Sequence, residues 1–160
     1  MQVTTSWDHQ DGSLILCRNK TDPFNVPEKR PIAVVIVVHQ QRVLVGKRAC
    51  NAATAKGFHE FPGGKIETGE SAPAAAVREC LEETGLHISI ERQLNRTFTD
   101  EGHFEIIFFL GSLQSCENPE PCEPFKWLTH AELDLCTFPA ANKSVVCWLR
   151  DSLSTIQGGS

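Results

Sequence analysis

The stretch Ser71 to Gly85, SAPAAAVRECLEETG, carries the local signals of one short helix with defined ends. The Ser71 hydroxyl can cap the N-terminus, Pro73 falls in the first turn where a missing N–H costs nothing, and Gly85 suits the left-handed residue just past the end. A helix over residues 72–84 places Glu79, Glu82 and Glu83 at i, i+3 and i+4, so three carboxylates share one face. Ala74, Val77 and Leu81 mark an apolar stripe for packing, which directs the acidic face elsewhere. Alone, three such glutamates describe a solvated helix face, and what precedes them decides whether they are more.

Around this helix the pattern is that of an α/β domain. Ile32 to Val38 is a continuous apolar run suited to a buried strand. Gln40 and Gln41 mark a turn, and Arg42 to Arg48 alternates as a second strand paired with the first. A loop containing Asn51 to Gly57 leads to a short strand and a glycine-rich turn before the helix. Strands follow at about His87 to Thr99, His103 to Leu113 and Phe125 to Leu128, then helices near His130 to Leu133 and Ala140 to Leu153. Residues 1–29 are polar and turn-rich, with only Ser13 to Cys17 strand-like. They read as an appended arm, residues 30–153 as the folded domain, and 154–160 as a tail whose Gly158, Gly159 and Ser160 fray.

With 160 residues, 41% hydrophobic and 22% charged, the chain can fill one core and not two. No apolar run approaches the roughly 20 residues that span a bilayer, and no basic segment followed by an apolar stretch opens the chain, so a cytoplasmic protein is expected. The net charge of −5 argues against binding nucleic-acid polymers. It leaves room for a phosphorylated small molecule, because divalent cations can bridge carboxylates and phosphates. Seven cysteines (Cys17, Cys50, Cys80, Cys116, Cys122, Cys136, Cys147) lack the paired short spacings of thiolate sites. They are expected to be reduced and mostly to serve as small apolar fillers.

From Gly64 the chain reads GKIETGESAPAAAVRECLEETGL. It resembles the Nudix box, G-x5-E-x7-R-E-U-x-E-E-x-G-U with U bulky and apolar, at every fixed position, with Cys80 standing at one apolar place. Ordinary residue frequencies give such a match by chance in about one in ten million chains of this length, which sets aside the solvated-face reading. The chemistry behind the pattern is general. Hard cations want several oxygen ligands, and a pyrophosphate is open to attack only once its charge is neutralised. Glu79, Glu82 and Glu83 supply carboxylates, while Gly63 and Gly64, lacking Cβ atoms, let backbone approach metal and phosphate.

The resemblance implies a Nudix α/β/α sandwich, with a mixed β-sheet and a loop–helix–loop catalytic motif, and Mg2+ as cofactor with Mn2+ as the alternative. It also implies metal ligation by the Gly63 carbonyl and by Glu79, Glu82 and Glu83. Glu79 and Glu82 are then catalytic, with Arg78 orienting Glu79 through a charge-assisted contact, and which carboxylate activates the water stays open. Glu70 braces the loop against the helix. Members often add a glutamate from a later loop. Glu120 and Glu123 are available, Glu123 is favoured, and a solvated loop charge is the competing reading.

Similarity to MutT-like members extends from about Pro31 to Arg150. VGKRA resembles a strand whose arginine, here Arg48, meets a phosphate; a strand-end charge in water is the alternative. EFPGGKIE implies that Phe61 lines a nucleoside pocket and that Gly64 approaches the substrate, against a simple core role for Phe61. FPAANKSV resembles a segment that places an asparagine, here Asn142, on a purine edge, where its amide can donate and accept; capping the last helix is the alternative. The chain has no tyrosine, which diadenosine polyphosphate hydrolases of the superfamily carry after the box. It has Glu101 and Gly102 where ADP-ribose hydrolases carry a proline. The expectation is therefore a nucleoside triphosphate pyrophosphohydrolase that sanitises the nucleotide pool of 8-oxo-dGTP. A Nudix enzyme for another nucleotide such as dCTP or CTP is the nearer rival, and a non-hydrolytic binding module the more distant one. The partner is a small nucleotide, with neither nucleic-acid polymer nor membrane, and the protein is a monomer or homodimer.

Overall fold

Strand β1 (Arg30–His39) carries the long apolar run, and its side chains divide by parity between two cores. Ala33, Val35 and Val37 face one cluster, with Ala75, Ala76 and Cys80 of helix α1 (Ala72–Thr84). Ile32, Val34 and Ile36 face the other, with Val145, Val146, Leu149 and Leu153 of helix α3 (Lys143–Gln157). A computed structural model describes residues 30–48, 57–99, 104–115 and 119–157. The strand-like Ser13 to Cys17, most of the Asn51 to Gly57 loop, Glu101 to His103 and Gly158 to Ser160 lie outside them.

The sheet order is β3 (His59–Glu60), β2 (Arg42–Lys47), β1, β6 (Phe104–Leu113), β5 (Ile88–Phe98), with β4 (Gly63–Lys65) also on β1 and β7 (Phe125–Leu128) on β2. β1 and β6 run parallel over Arg30↔Phe104 to Val37↔Gly111, and the other pairs are antiparallel, so the sheet is mixed. With α1 on one face, and α3 and the short α2 (His130–Asp134) on the other, the expected α/β/α sandwich is present. The β1–β2 hairpin turns through Gln40 (φ 47) and Gln41 (φ 60), the two left-handed residues that let a tight turn match strand twist.

One edge of β1 is shared. Val38 and His39 pair with β2, Ile32 to Val34 pair with β4, and between them the Val35 N–H donates to Pro62 O at 2.9 Å. The Phe61-Pro62-Gly63-Gly64 turn is thereby held to the centre of the sheet. A Cβ on Gly63 would fall 2.4 Å from Ala33 O, so this approach requires glycine.

Three expectations need correction. The buried stripe of α1 is Ala75, Ala76, Cys80 and Thr84, with Val77 packed against the same core as expected, whereas Ala74 is exposed and Leu81 is 38% exposed. Small residues let the helix lie close on the sheet, so bulk was a poor guide to its inner face. The last helix does not start at Ala140: Ala140–Asn142 form a 3-10 turn, and α3 runs from Lys143 to Gln157, past Leu153. Of the described cysteines, Cys80 is buried but Cys122 and Cys147 are exposed, so filling is not their common role.

Among the described residues no helix is long and apolar enough to cross a membrane. Leu149 is fully buried and Leu135 is 84% exposed. Leu149→Ala is expected to cost about 2–5 kcal/mol in urea unfolding, and Leu135→Ala less than about 0.5 kcal/mol.

Candidate active site

The caps expected for α1 are all formed. Ser71 Oγ accepts the Ala74 N–H at 3.3 Å, and Gly85 (φ 73) donates its N–H to Leu81 O. A helix fixed at both ends holds the 78–83 segment in register with the Gly63–Glu70 loop.

Arg78 organises that meeting. Its Nε donates to Glu70 Oε1 and its Nη2 to Glu70 Oε2, both at 2.9 Å, while Nη1 reaches Glu79 Oε1 at 2.8 Å and Glu82 Oε2 at 3.3 Å. Nη2 also donates to Lys65 O at 3.1 Å. Glu70 further accepts the Glu67 N–H at 3.2 Å, which makes it a clasp across the turn. The Arg78 guanidinium holds the Glu70 carboxyl below the usual carboxylate range, and these bonds make Arg78 still harder to deprotonate.

Glu83 is held differently. Its Oε2 accepts the Gly63 N–H at 3.0 Å. Its carboxyl is pushed up to about 7, first by the protein packed around it and then by the negative charges of Glu60 and Glu79; the Gly63 bond and Arg48 pull the other way. Arg48 and Glu60 form an ion pair beside it, joining the ends of β2 and β3. Arg48 thus lies within electrostatic reach of the acidic cluster, with a carboxylate as partner in this structure.

The donors suit a hard divalent cation. A Cβ on Gly64 would lie 2.3 Å from the Glu79 carboxyl carbon, so the bare Gly64 backbone forms a cradle against that carboxylate. Among the described residues no three acidic, histidine or cysteine side chains already converge as a metal cage. Glu79 and Glu82 face Arg78 and Glu83 faces Gly63, which makes its observed contact through N–H. Glu82, 59% exposed against 18% for Glu79, has the freedom to turn.

Glu123 pairs with Lys126 at 3.8 Å and is 80% exposed; among the described residues neither it nor exposed Glu120 contacts Glu79, Glu82 or Glu83. Its loop is fastened to the end of α1, where the Cys122 N–H donates to Thr84 O at 2.9 Å.

On the other side of the Gly63–Gly64 turn lies an aromatic wall that is part of the core packed under α3, as the core reading of Phe61 has it. Phe61, 4% exposed, stacks on Phe138 with ring centroids 4.9 Å apart and planes 14° from parallel. From Phe138 the chain passes through Pro139 into the 3-10 turn ending at Asn142, whose N–H donates to Pro139 O at 3.0 Å. Phe61 and the Asn142 segment are therefore brought together. Phe138, Glu60 and His59 are not among the residues that the sequence singles out, a lone histidine being more often a surface or packing residue. Phe138 lies inside the FPAAN segment and Glu60 beside Phe61, but their partners are remote in sequence, so only the fold pairs them.

The raised Glu83 carboxyl sets a sign for metal binding. Should Glu83 serve as a ligand, protons compete with the cation for its raised carboxyl, so binding strengthens as pH rises toward about 7. Mn2+ affinity measured by calorimetry is expected to climb with pH up to about 7 and then flatten; the slope below 7 should vanish in Glu83→Gln.

A family profile described as NUDIX domain matches residues 29–149. Over 128 residues the chain is 34% identical to the 8-oxo-dGTP diphosphatase of Escherichia coli (strain K12), covering 77% of this chain and 98% of that protein. A stretch of 59 residues is 46% identical to the oxidized purine nucleoside triphosphate hydrolase of Danio rerio, covering 36% of this chain and 35% of that one. A solved structure from work on the MutT proteins of Aliivibrio salmonicida and Vibrio cholerae superposes with a TM-score of 0.57 at 29% identity, covering 76% of this chain and 96% of its own.

Proposed function

The chain belongs to the NUDIX domain family and is a hydrolase, and we propose that it removes pyrophosphate from a nucleoside triphosphate, with 8-oxo-dGTP as the preferred substrate. The observation that carries the reading is the run His59 to Gly64. Within it Phe61 enters the aromatic stack while Gly63 and Gly64 lie against Glu83 and Glu79. In this reading the base meets the Phe61–Phe138 pair and the polyphosphate meets the acidic cluster, the two ends being joined by the short run His59 to Gly64.

In this mechanism water attacks the β-phosphorus, the bond from that phosphorus to the α,β-bridging oxygen breaks, and the nucleoside monophosphate leaves with that oxygen. Glu79, Glu82 and Glu83 would hold Mg2+, or Mn2+ in its place, with Gly63 contributing backbone and Glu123 joining from its loop. The cation supplies charge neutralisation and a more acidic water. A carboxylate of α1 takes the water's proton, and Glu82, the most exposed of those contacting Arg78, is free to move to it. Arg78 keeps Glu79 aimed, Arg48 exchanges Glu60 for a phosphate oxygen, and Gly64 leaves room for the polyphosphate. Asn142 reads the base with a donor and an acceptor. The relatives named for 8-oxo-dGTP and oxidized purines support the purine assignment.

The assay is pyrophosphate release with Mg2+ from 8-oxo-dGTP, dGTP and dCTP, compared as kcat/KM. Preference for 8-oxo-dGTP is expected, and faster turnover of dCTP would overturn the substrate assignment. Asn142→Ala should reduce selectivity for 8-oxo-dGTP by about 1–3 kcal/mol. Arg78→Lys keeps the charge but not the fork, and should lower kcat about 10–100-fold. Glu82→Gln should lose turnover while still binding nucleotide; a parent protein that binds but never turns over any nucleotide would instead favour a binding module.

A further inference from the structure

His59 takes both backbone groups of a residue 78 positions away. Its own N–H donates to Thr137 O at 2.7 Å, and the Thr137 N–H donates to His59 Nδ1 at 3.1 Å. While Nδ1 accepts this N–H it carries no hydrogen of its own, so the bond uses the tautomer with hydrogen on Nε2. Nδ1 also lies 3.4 Å from Thr137 O, but that oxygen already receives the shorter bond from the His59 backbone.

The clamp acts where the aromatic wall begins. Phe138 follows Thr137, stacks on Phe61, and has its ring centroid 5.9 Å from that of His59. His59 and Phe61 are i and i+2 in an extended stretch and share a side. Beyond Phe138, Pro139 fixes one backbone torsion and the 3-10 turn runs directly to Asn142. Upstream, the Cys136 N–H is tied back to Leu133 O at 3.1 Å. Thr137 is the junction between the α2 end and this turn, and an exposed one, so the His59 ring bonds at the start of the turn while adding little to the core.

We propose that His59 is a positioning residue for base selection: through Thr137 it sets the spacing between Phe61 and Asn142. The inference rests on the reading of Asn142 as the residue that contacts the base. Loss of the Nδ1 acceptor leaves the fold standing, because water can satisfy the Thr137 N–H, but lets the segment bearing Asn142 drift. A misplacement of that kind weakens binding of the favoured base.

The test uses the full chain as parent, His59→Leu, which keeps bulk without an acceptor, and His59→Asn, whose side-chain oxygen reaches about as far as Nδ1. In His59→Leu, KM for 8-oxo-dGTP should rise about fivefold, the worth of one hydrogen bond. The 8-oxo-dGTP to dGTP preference should shrink with it and kcat stay within about twofold. His59→Asn should restore KM and preference. Exchange of the Thr137 amide, followed without nucleotide, should be fast in His59→Leu and slow in the other two. Unchanged KM and preference in His59→Leu, a loss confined to kcat, or equal Thr137 protection in all three proteins would each overturn the proposal. A parent that prefers another nucleotide overturns the substrate assignment instead, and the clamp is then judged by the same KM comparison on that nucleotide. A parent that hydrolyses none leaves the exchange comparison to decide it.

Discussion

Glutamates crowded onto two helical turns and the loop before them repel one another, and one guanidinium makes the arrangement tenable. Arg78 touches Glu70, Glu79 and Glu82 and the Lys65 carbonyl, using the planar fork that distinguishes arginine from lysine. The pair with Glu70 locks the loop to α1, the contact with Glu79 holds charge in a partly buried place, and the contact with Glu82 lies at the surface. Glu83, beyond Arg78's reach, bonds to Gly63 and keeps a raised proton affinity, first from desolvation and then from its acidic neighbours. The cluster therefore has an anchored part at Glu70 and Glu79 and a responsive part at Glu82 and Glu83.

The sheet serves the same end. β1 would normally give one whole edge to one neighbour, yet its edge is divided between β2 and β4, and the gap is closed by Pro62. This division brings a glycine turn to the middle of the domain rather than its rim. Gly63 against Ala33 and Gly64 against Glu79 show how little space is left.

Much of this was legible in the residues because local chemistry dictated it. The caps of α1, the apolar run of β1, the β7 strand and the box itself depend on neighbours in sequence, and they stand where expected. The inner face of α1 was misread because Ala75 and Ala76 pack by being small, so the larger Leu81 drew attention to the wrong side. The start of α3 was misread because a 3-10 turn and an α-helix share composition. The exposure of Cys122 and Cys147 could not follow from residue type, since the same thiol fills a core at Cys80. The pairings of Arg48 with Glu60, Phe61 with Phe138 and His59 with Thr137 join segments that no periodicity links.

The parallel pairing of β1 with β6 closes a loop across most of the domain, and the wall at Phe138 lies later still in the chain. Contacts of such separation are slow to form because the entropy of closing the loop comes first. The acidic half of the site is different, being assembled within the short span from Gly63 to Glu83. As the chain leaves the ribosome, the charge network around Arg78 has all its members long before Phe61 has Phe138 to stack on. The two halves of the proposed site are thus separated in order of synthesis, and in the proposed reading it is the later half that would give a cluster of carboxylates a preference.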